Sequence, residues 1–201
     1  MKRGRFFVLE GIDGAGTTTQ LQRMAVELRR LGHNVHTTAE PSTGPIGSLA
    51  RSSLKSEHGI DPQTLALLFA ADRLDHFRRE IEPALARGSI VLSDRYLLSS
   101  LAYQALDCDE DWVHAINRQA PRPDLNLFVR VTAQIAATRR ATRGAEPERF
   151  QHDNLQRLVA ELYDRMIQRP DVGPCVVVSG ELPPAEVTDN LLGTIRPWIE
   201  R

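Results

Sequence analysis

Cysteine is almost missing from this chain: Cys108 and Cys175 are the only two in 201 residues. Two thiols cannot build a disulfide framework or a cysteine metal cluster, and their scarcity suits a reducing compartment, the cytoplasm. Lysine is equally scarce. Of the 25 basic residues, all but Lys2 and Lys55 are arginine. No apolar run approaches the roughly 20 residues that a membrane-spanning helix needs. The basic start Met1–Arg5 leads into a run too short for a signal-peptide core, and that run ends in the acid Glu10. An excess of charge of one sign is also lacking, since 25 Lys and Arg face 26 Asp and Glu. That balance excludes a general binder of nucleic acid or membrane surfaces and confines any anion binding to local sites. The six histidines show no metal-ligand spacing. No internal repeat or low-complexity linker is present.

What is present reads as a globular chain, with hydrophobic residues at 41% and charged residues at 25%. The length fits a single domain over 1–201 with one core. Short apolar runs at Arg5–Glu10, Asn34–Thr38, Ser89–Ser93, Leu125–Val131 and Pro174–Val178 read as buried strands. Helical periodicity marks Thr17–Leu31, Pro62–Ala86, Tyr96–Ala105, Glu110–Gln119, Ala133–Arg143, Phe150–Gln168 and Pro184–Glu200. Pro41–Gly47 reads as a loop. Strands alternating with helices predict an α/β fold, a parallel sheet with helices on both faces and ligands at the carboxyl ends of its strands.

The chemistry begins at Gly11-Ile12-Asp13-Gly14-Ala15-Gly16-Thr17-Thr18. This has the frame of the phosphate-binding loop G-x-x-x-x-G-K-[ST], and it lies between a buried strand and a helix start. Glycines let backbone N–H groups turn toward a phosphate, and the helix N-terminus adds its dipole. Thr18 stands at the Mg²⁺-ligand position. The lysine position, however, holds Thr17, which can donate a hydrogen bond but brings no charge. Phosphoryl transfer depends on electrostatic neutralisation, so arginine is the expected substitute. A Gly-rich turn with hydroxyl caps at a helix start is the plainer reading of the same residues.

Three further groups stand out. Asp94-Arg95 follows a buried strand at its carboxyl end, where an acid can hold Mg²⁺ and an arginine can bridge phosphates. Phe69 and Arg73 lie four apart on a predicted helix and share a face, which suits a base and an anion, although a core Phe beside a solvated Arg fits the same spacing. Arg139, Arg140, Arg143 and Arg149 flank Gly144–Pro147. They read either as a mobile flap carrying cations or as a solvated helix end.

Taken together, Phe7–Gln20, Glu40-Pro41, Leu67–Arg73, Asp94–Gln104, Pro123–Leu125 and the arginine-flanked segment to Phe150 resemble the thymidylate kinase family, in order and spacing, over most of the chain. The resemblance implies a P-loop kinase with a five-stranded parallel sheet and a lid near 140–150, commonly a homodimer, that phosphorylates dTMP with ATP and Mg²⁺. By the resemblance, Gly11, Gly14, Ala15, Gly16, Thr17, Thr18 and Thr19, with Arg139 and Arg140, would hold ATP, and Thr18 and Asp94 the metal. Asp13 would lie by the acceptor sugar. Arg95 would sit between the donor and acceptor phosphates, with Arg143 and Arg149 as candidate catalytic lid arginines. Phe69 would stack on thymine and Arg73 would hold the base or phosphate side of dTMP. Glu40, Arg51, Ser99, Ser100, Tyr103 and Gln104 would complete the acceptor pocket, with Tyr103 favouring deoxyribose. With no base at Ile12–Ala15, the chain resembles the bacterial type whose catalytic arginine is in the lid.

The sequence departs from the family pattern at Thr17, at Ser42-Thr43-Gly44 after Glu40-Pro41, and at Gln151, where an acid is usual. Two rival readings follow: a nucleotide-binding protein that has lost turnover, and a kinase for another nucleotide on the same fold.

Overall fold

The computed structural model describes residues 3–55, 60–143 and 153–200. Five strands, β1 (Arg5–Glu10), β2 (Val35–Ala39), β3 (Ile90–Asp94), β4 (Leu125–Arg130) and β5 (Cys175–Ser179), form one parallel sheet in the order β2-β3-β1-β4-β5. The helices are α1 (Thr17–Arg30), α2 (Pro45–Lys55), α3 (Pro62–His76), α4 (Glu82–Ala86), α5 (Leu97–Tyr103), α6 (Glu110–Ile116), α7 (Ala133–Arg143), α8 (Asp153–Met166) and α9 (Pro184–Ile199). The five-stranded parallel sheet read from the sequence is therefore present. Strand β1 occupies the centre because every residue after Arg5 is buried, as a strand covered on both faces requires. Its apolar residues join those of β3, β4, α1 and α5 in a single core cluster.

The register sets the site. Leu9 pairs with Asp94 across β1 and β3, so both strands deliver their last residues to the same end of the sheet. Chain order reverses at β1, with β3 on one side and β4 on the other. A reversal of this kind opens a crevice at the carboxyl ends, where ligands bind in such sheets.

Four predicted elements differ. The loop read at Pro41–Gly47 runs only to Gly44, and α2 follows, a helix the sequence reading did not assign. Its Gly and three serines hide the helical signal, because such residues favour turns in isolation. The predicted helix Pro62–Ala86 is divided by a π-helical turn at Phe77–Ile81, in which the Glu82 N–H donates to the Phe77 carbonyl. Pro83, which has no N–H, begins just beyond it, and the wider turn accommodates its ring. The predicted helices at Tyr96–Ala105 and Glu110–Gln119 end at Tyr103 and Ile116, the first passing into a 3₁₀ turn at Gln104–Leu106.

Candidate active site

The loop after β1 is built by two left-handed glycines. Gly14 and Gly16 have φ of 96° and 94°, which an L side chain adopts only with strain. A Cβ on Gly14 would also come within 2.5 Å of the Ala136 carbonyl on α7. The chain then enters α1 at Thr17, so the amides of Thr17, Thr18 and Thr19 open the helix where no preceding carbonyl accepts them. Backbone donors and the helix dipole together form an anion site. Thr17 is buried, whereas Thr18 and Thr19 are exposed.

Two arginines of α7 hold this loop. Arg139 donates to the carbonyls of Ala15 (3.2 Å) and Gly180 (2.9 Å), and its guanidinium lies 4.0 Å from where a Gly16 Cβ would stand. Arg140 donates to the Asp13 carbonyl. Arg149, the lid segment 144–150 and Gln151 lie outside the described residues, as does the Arg143 side chain.

Asp94, at the end of β3, accepts a short hydrogen bond from the Thr18 hydroxyl through Oδ2. Its Oδ1 is buried without a hydrogen-bond partner among the described residues. The Thr18 hydroxyl and the Asp94 carboxylate, one oxygen of which is orphaned and buried, are hard oxygen donors of the kind Mg²⁺ takes beside a nucleotide. They fit such an ion.

Beside Asp94, Arg95 has φ 70°, the only non-glycine residue with positive φ among those described. Holding an arginine there costs about 1–3 kcal/mol, and such strain concentrates at functional positions. Its guanidinium pairs with the Asp13 carboxylate, donates to Ser99 Oγ at 3.2 Å and stands over the Tyr103 ring at 5.1 Å. Burial works against its charge, but the electrostatic surroundings of Tyr103, Asp13, Tyr163 and Asp94 outweigh burial and raise its pKa well above the ordinary value. Burial, the largest influence, pushes the Tyr103 phenol up to about 12, so it remains a neutral donor. The hydroxyl of Tyr103 accepts from the Asp13 N–H at 3.1 Å.

Next to this group lies a cavity of about 210 Å³. Asp13, Glu40, Arg51, Phe69, Arg73, Arg95, Ser99, Ser100, Tyr103 and Gln104 all line it, so every predicted acceptor residue meets in one place. Arg73 is 1% exposed yet charged. It donates to Ser100 Oγ (2.8 Å), the Tyr96 carbonyl (2.9 Å) and Asn117 Oδ1, and pairs with Glu40 at 2.8 Å. Without these partners a buried guanidinium would be prohibitively costly. Among the described residues, four buried atoms of this lining have no hydrogen-bond partner: Arg73 Nε, Gln104 Oε1, the Tyr96 hydroxyl and Glu40 Oε2, the last held only by its ion pair with Arg73. The Arg73 Nε–H is a donor and the Gln104 Oε1 an acceptor. Phe69 is half-buried on the cavity wall, so it is not the core residue its spacing equally allowed. Arg51 is exposed and donates to the Pro41 carbonyl.

Several residues of this region escaped the sequence reading. Glu10 is wholly buried at the end of β1, where desolvation raises its pKa against the opposing pull of Ser99 and Arg95. Gln156 on α8 accepts from the Asp13 N–H at 2.9 Å. Asp72 accepts from the Ser42 amide at 2.7 Å and from its hydroxyl at 2.5 Å, which fixes the start of the 42–47 segment. His76 lies between Glu40 (3.2 Å) and Thr38 (2.7 Å). An acid closing an otherwise apolar strand was the one visible signal, at Glu10; the others sit on helices with no distinguishing pattern.

A parallel sheet in this order, with a glycine loop leading from its central strand into a helix N-terminus, defines a P-loop phosphate-binding fold. Comparison with known proteins narrows that class. The model of the thymidylate kinase family matches residues 9–190. A protein named probable thymidylate kinase from Pyrobaculum aerophilum is 42% identical over 159 residues, covering 79% of this chain and 80% of its own. A thymidylate kinase from Thermomicrobium roseum is 37% identical over 203 residues, 98% and 96% of the two chains. One from Alkalilimnicola ehrlichii is 37% identical over 193 residues, 86% and 87%. The chain belongs to the thymidylate kinase family.

Proposed function

We propose that this protein phosphorylates dTMP to dTDP with ATP. The observation that carries the reading is the placing of Arg95 between two sites: the amide-lined glycine loop on one side and the arginine-walled cavity on the other. Family membership and the names of the relatives support the choice of substrates.

The base of dTMP stacks on Phe69, and its edge meets the unpartnered Arg73 Nε–H and Gln104 Oε1. Pyrimidine edges present both acceptors and a donor, so this pair is complementary to one. Tyr103 and Asp13 face the sugar. The acceptor phosphate points to Arg95, with Arg51 at the mouth. ATP lies along Gly11–Thr19, with its phosphates on the loop amides and Arg139 and Arg140 at the loop rim. Thr18 and Asp94 would hold Mg²⁺, which would supply neutralising positive charge for the phosphates of ATP.

A dTMP phosphate oxygen attacks Pγ in line as the bond from Pγ to the β-phosphate oxygen breaks, giving dTDP and ADP. No covalent enzyme intermediate forms. Arg95 stabilises the spreading negative charge, and its fixed geometry supplies the positioning on which such transfers depend. Arg143 and Arg149 are the lid arginines of this reading, which follows the lid-arginine type. We further infer a single catalytic domain acting in the cytoplasm, where Cys108 and Cys175 stay reduced, as a homodimer with no nucleic-acid or membrane partner. No described helix is long and apolar enough to cross a membrane.

The test is ADP release with dTMP, ATP and Mg²⁺, with Arg95→Ala as a control against contaminating kinases and AMP and GMP as competing acceptors. Turnover restricted to dTMP and lost in the control is the expected result. Binding of dTMP without turnover would overturn this reading in favour of a silent nucleotide-binding protein. Turnover with another monophosphate alone would reassign the substrate.

A further inference from the structure

The left-handed backbone of Arg95 needs something to hold it. Three hydrogen bonds converge there. The Arg95 N–H donates to the Leu9 carbonyl at 2.9 Å, and the Arg95 carbonyl accepts from Ser93 Oγ at 2.8 Å. Immediately after it, the Tyr96 N–H donates to Glu10 Oε1 at 3.0 Å. The other oxygen of the same carboxylate, Oε2, accepts from Ser99 Oγ at 2.6 Å and from the Tyr163 hydroxyl at 3.1 Å. Ser99 Oγ in turn accepts from Arg95 Nη1 at 3.2 Å. One carboxylate therefore grips Arg95 twice, through the backbone just beyond it and through the hydroxyl that steers its guanidinium.

We propose that Glu10 is a positioning residue: it holds Arg95 in the strained conformation that aims its guanidinium between the two phosphate sites. The proposal rests on the kinase reading above. Glu10 lines neither the acceptor cavity nor the loop's amide face, and it is 0% exposed, so it acts only through its neighbours. The alternative is that Glu10 is an internal acid whose bonds serve the fold alone. Its placement argues otherwise. β1 and β3 pair in register up to Leu9 and Asp94, so the two strands place Glu10 alongside Arg95 as pairing ends. Both oxygens are spent within the segment 96–99 and on Tyr163, and burial that raises its pKa is tolerated there.

The experiment is a double-mutant cycle of Glu10→Gln with Arg95→Ala, reading kcat, KM for dTMP and melting temperature. Gln keeps the volume and one acceptor oxygen but turns an N–H₂ toward hydroxyls that donate to Glu10, so one grip is lost. A misaimed catalytic group commonly costs up to about 100-fold in rate, so Glu10→Gln is expected to lower kcat by about 10- to 100-fold, with KM for dTMP changing less than about threefold. In the Arg95→Ala background the same change is expected to lower kcat by less than about threefold, while the melting temperature falls equally in both backgrounds. An equal loss of kcat in both backgrounds, or native kcat in Glu10→Gln, overturns the proposal. If Glu10→Gln does not fold, Ser99→Ala cuts the side-chain grip and is read in the same cycle on kcat and melting temperature, because Ser99 also lines the acceptor cavity. A native chain without dTMP turnover overturns the kinase reading itself, which separates the two failures.

Discussion

The two halves of the site are built by opposite means. The acceptor cavity is specified by side chains: Arg73, Glu40, Asp72 and His76 are buried ionisable groups bound to one another or to neighbouring polar atoms. The donor loop is specified by backbone: two left-handed glycines and a helix start supply amides, and the side chain at its charged position is only a hydroxyl, Thr17. The first half selects a molecule by shape and paired charge. The second offers backbone amides to an anion, with the charged side chains beside it coming from α7 and β3. Paired side-chain charge thus lies on one side of Arg95 and backbone amides on the other, with the strained residue between them.

Variants can break this contrast. The largest effect is expected for Arg73→Ala, which strands Glu40 in the interior. Breaking one member of a buried pair costs about 3–5 kcal/mol, so urea unfolding should register a loss of that size together with loss of dTMP binding. A loss under about 1 kcal/mol with dTMP affinity intact would mean the network is ornamental. On the donor side, Thr17→Lys adds the missing charge. Hydrogen bonds to charged groups contribute about 1.5–3 kcal/mol, so kcat/KM for ATP should rise about 10- to 100-fold, with KM for dTMP unmoved. An unchanged value would show that arginine already neutralises the phosphates fully.

Gly14→Ala forces a Cβ at φ 96° against the Ala136 carbonyl. A cost of about 1–3 kcal/mol is expected, seen as weaker ATP binding by calorimetry with dTMP binding preserved; equal loss on both sides would erase the contrast drawn here. The smallest effect concerns pH. Burial opposes the charge on His76, but its hydrogen bond to Glu40 and the charges of Glu40, Glu80 and Asp72 prevail and raise its pKa above the ordinary 6.5. A raised folded pKa stabilises below the unfolded value and loses that contribution as pH rises through the folded one. Stability should therefore decline as pH climbs from the ordinary imidazole range through the raised value, and His76→Gln should flatten the slope. A slope unaltered by that change would place the titration elsewhere.

The contrast also explains what could be read in advance. The donor loop was legible because its chemistry depends on glycine spacing, and spacing is a property of the sequence. The five strands were legible because a strand covered on both faces is a run of apolar residues. The cavity residues Phe69, Arg73, Tyr103 and Gln104 were singled out through resemblance to a family, since a Phe and an Arg four apart also fit a core face. Glu10, Asp72, His76 and Gln156 stayed hidden because each takes its meaning from a partner 30 or more positions away along the chain, through bonds to Tyr96, Ser42, Glu40 and Asp13. Helix α2 was missed for a different reason: its serines and Gly47 favour a turn locally, and packing against α3 overrides them.

The π-helical turn at Phe77–Ile81 has a bearing on how this chain can vary. Each α-helical residue advances the side chains by about 100°, and the turn holds one residue more than an α-helical one. Upstream of it Arg73 lines the acceptor cavity while Asp72 and His76 are buried against Ser42 and Glu40, and downstream Ala84 and Leu85 enter the core beneath β3. The two faces agree only at this length. Removing one residue from the turn would restore an unbroken helix, yet swing Leu85 out of the core or Arg73 out of its cage. The segment therefore behaves like a reading frame: a change in its length garbles everything on one side.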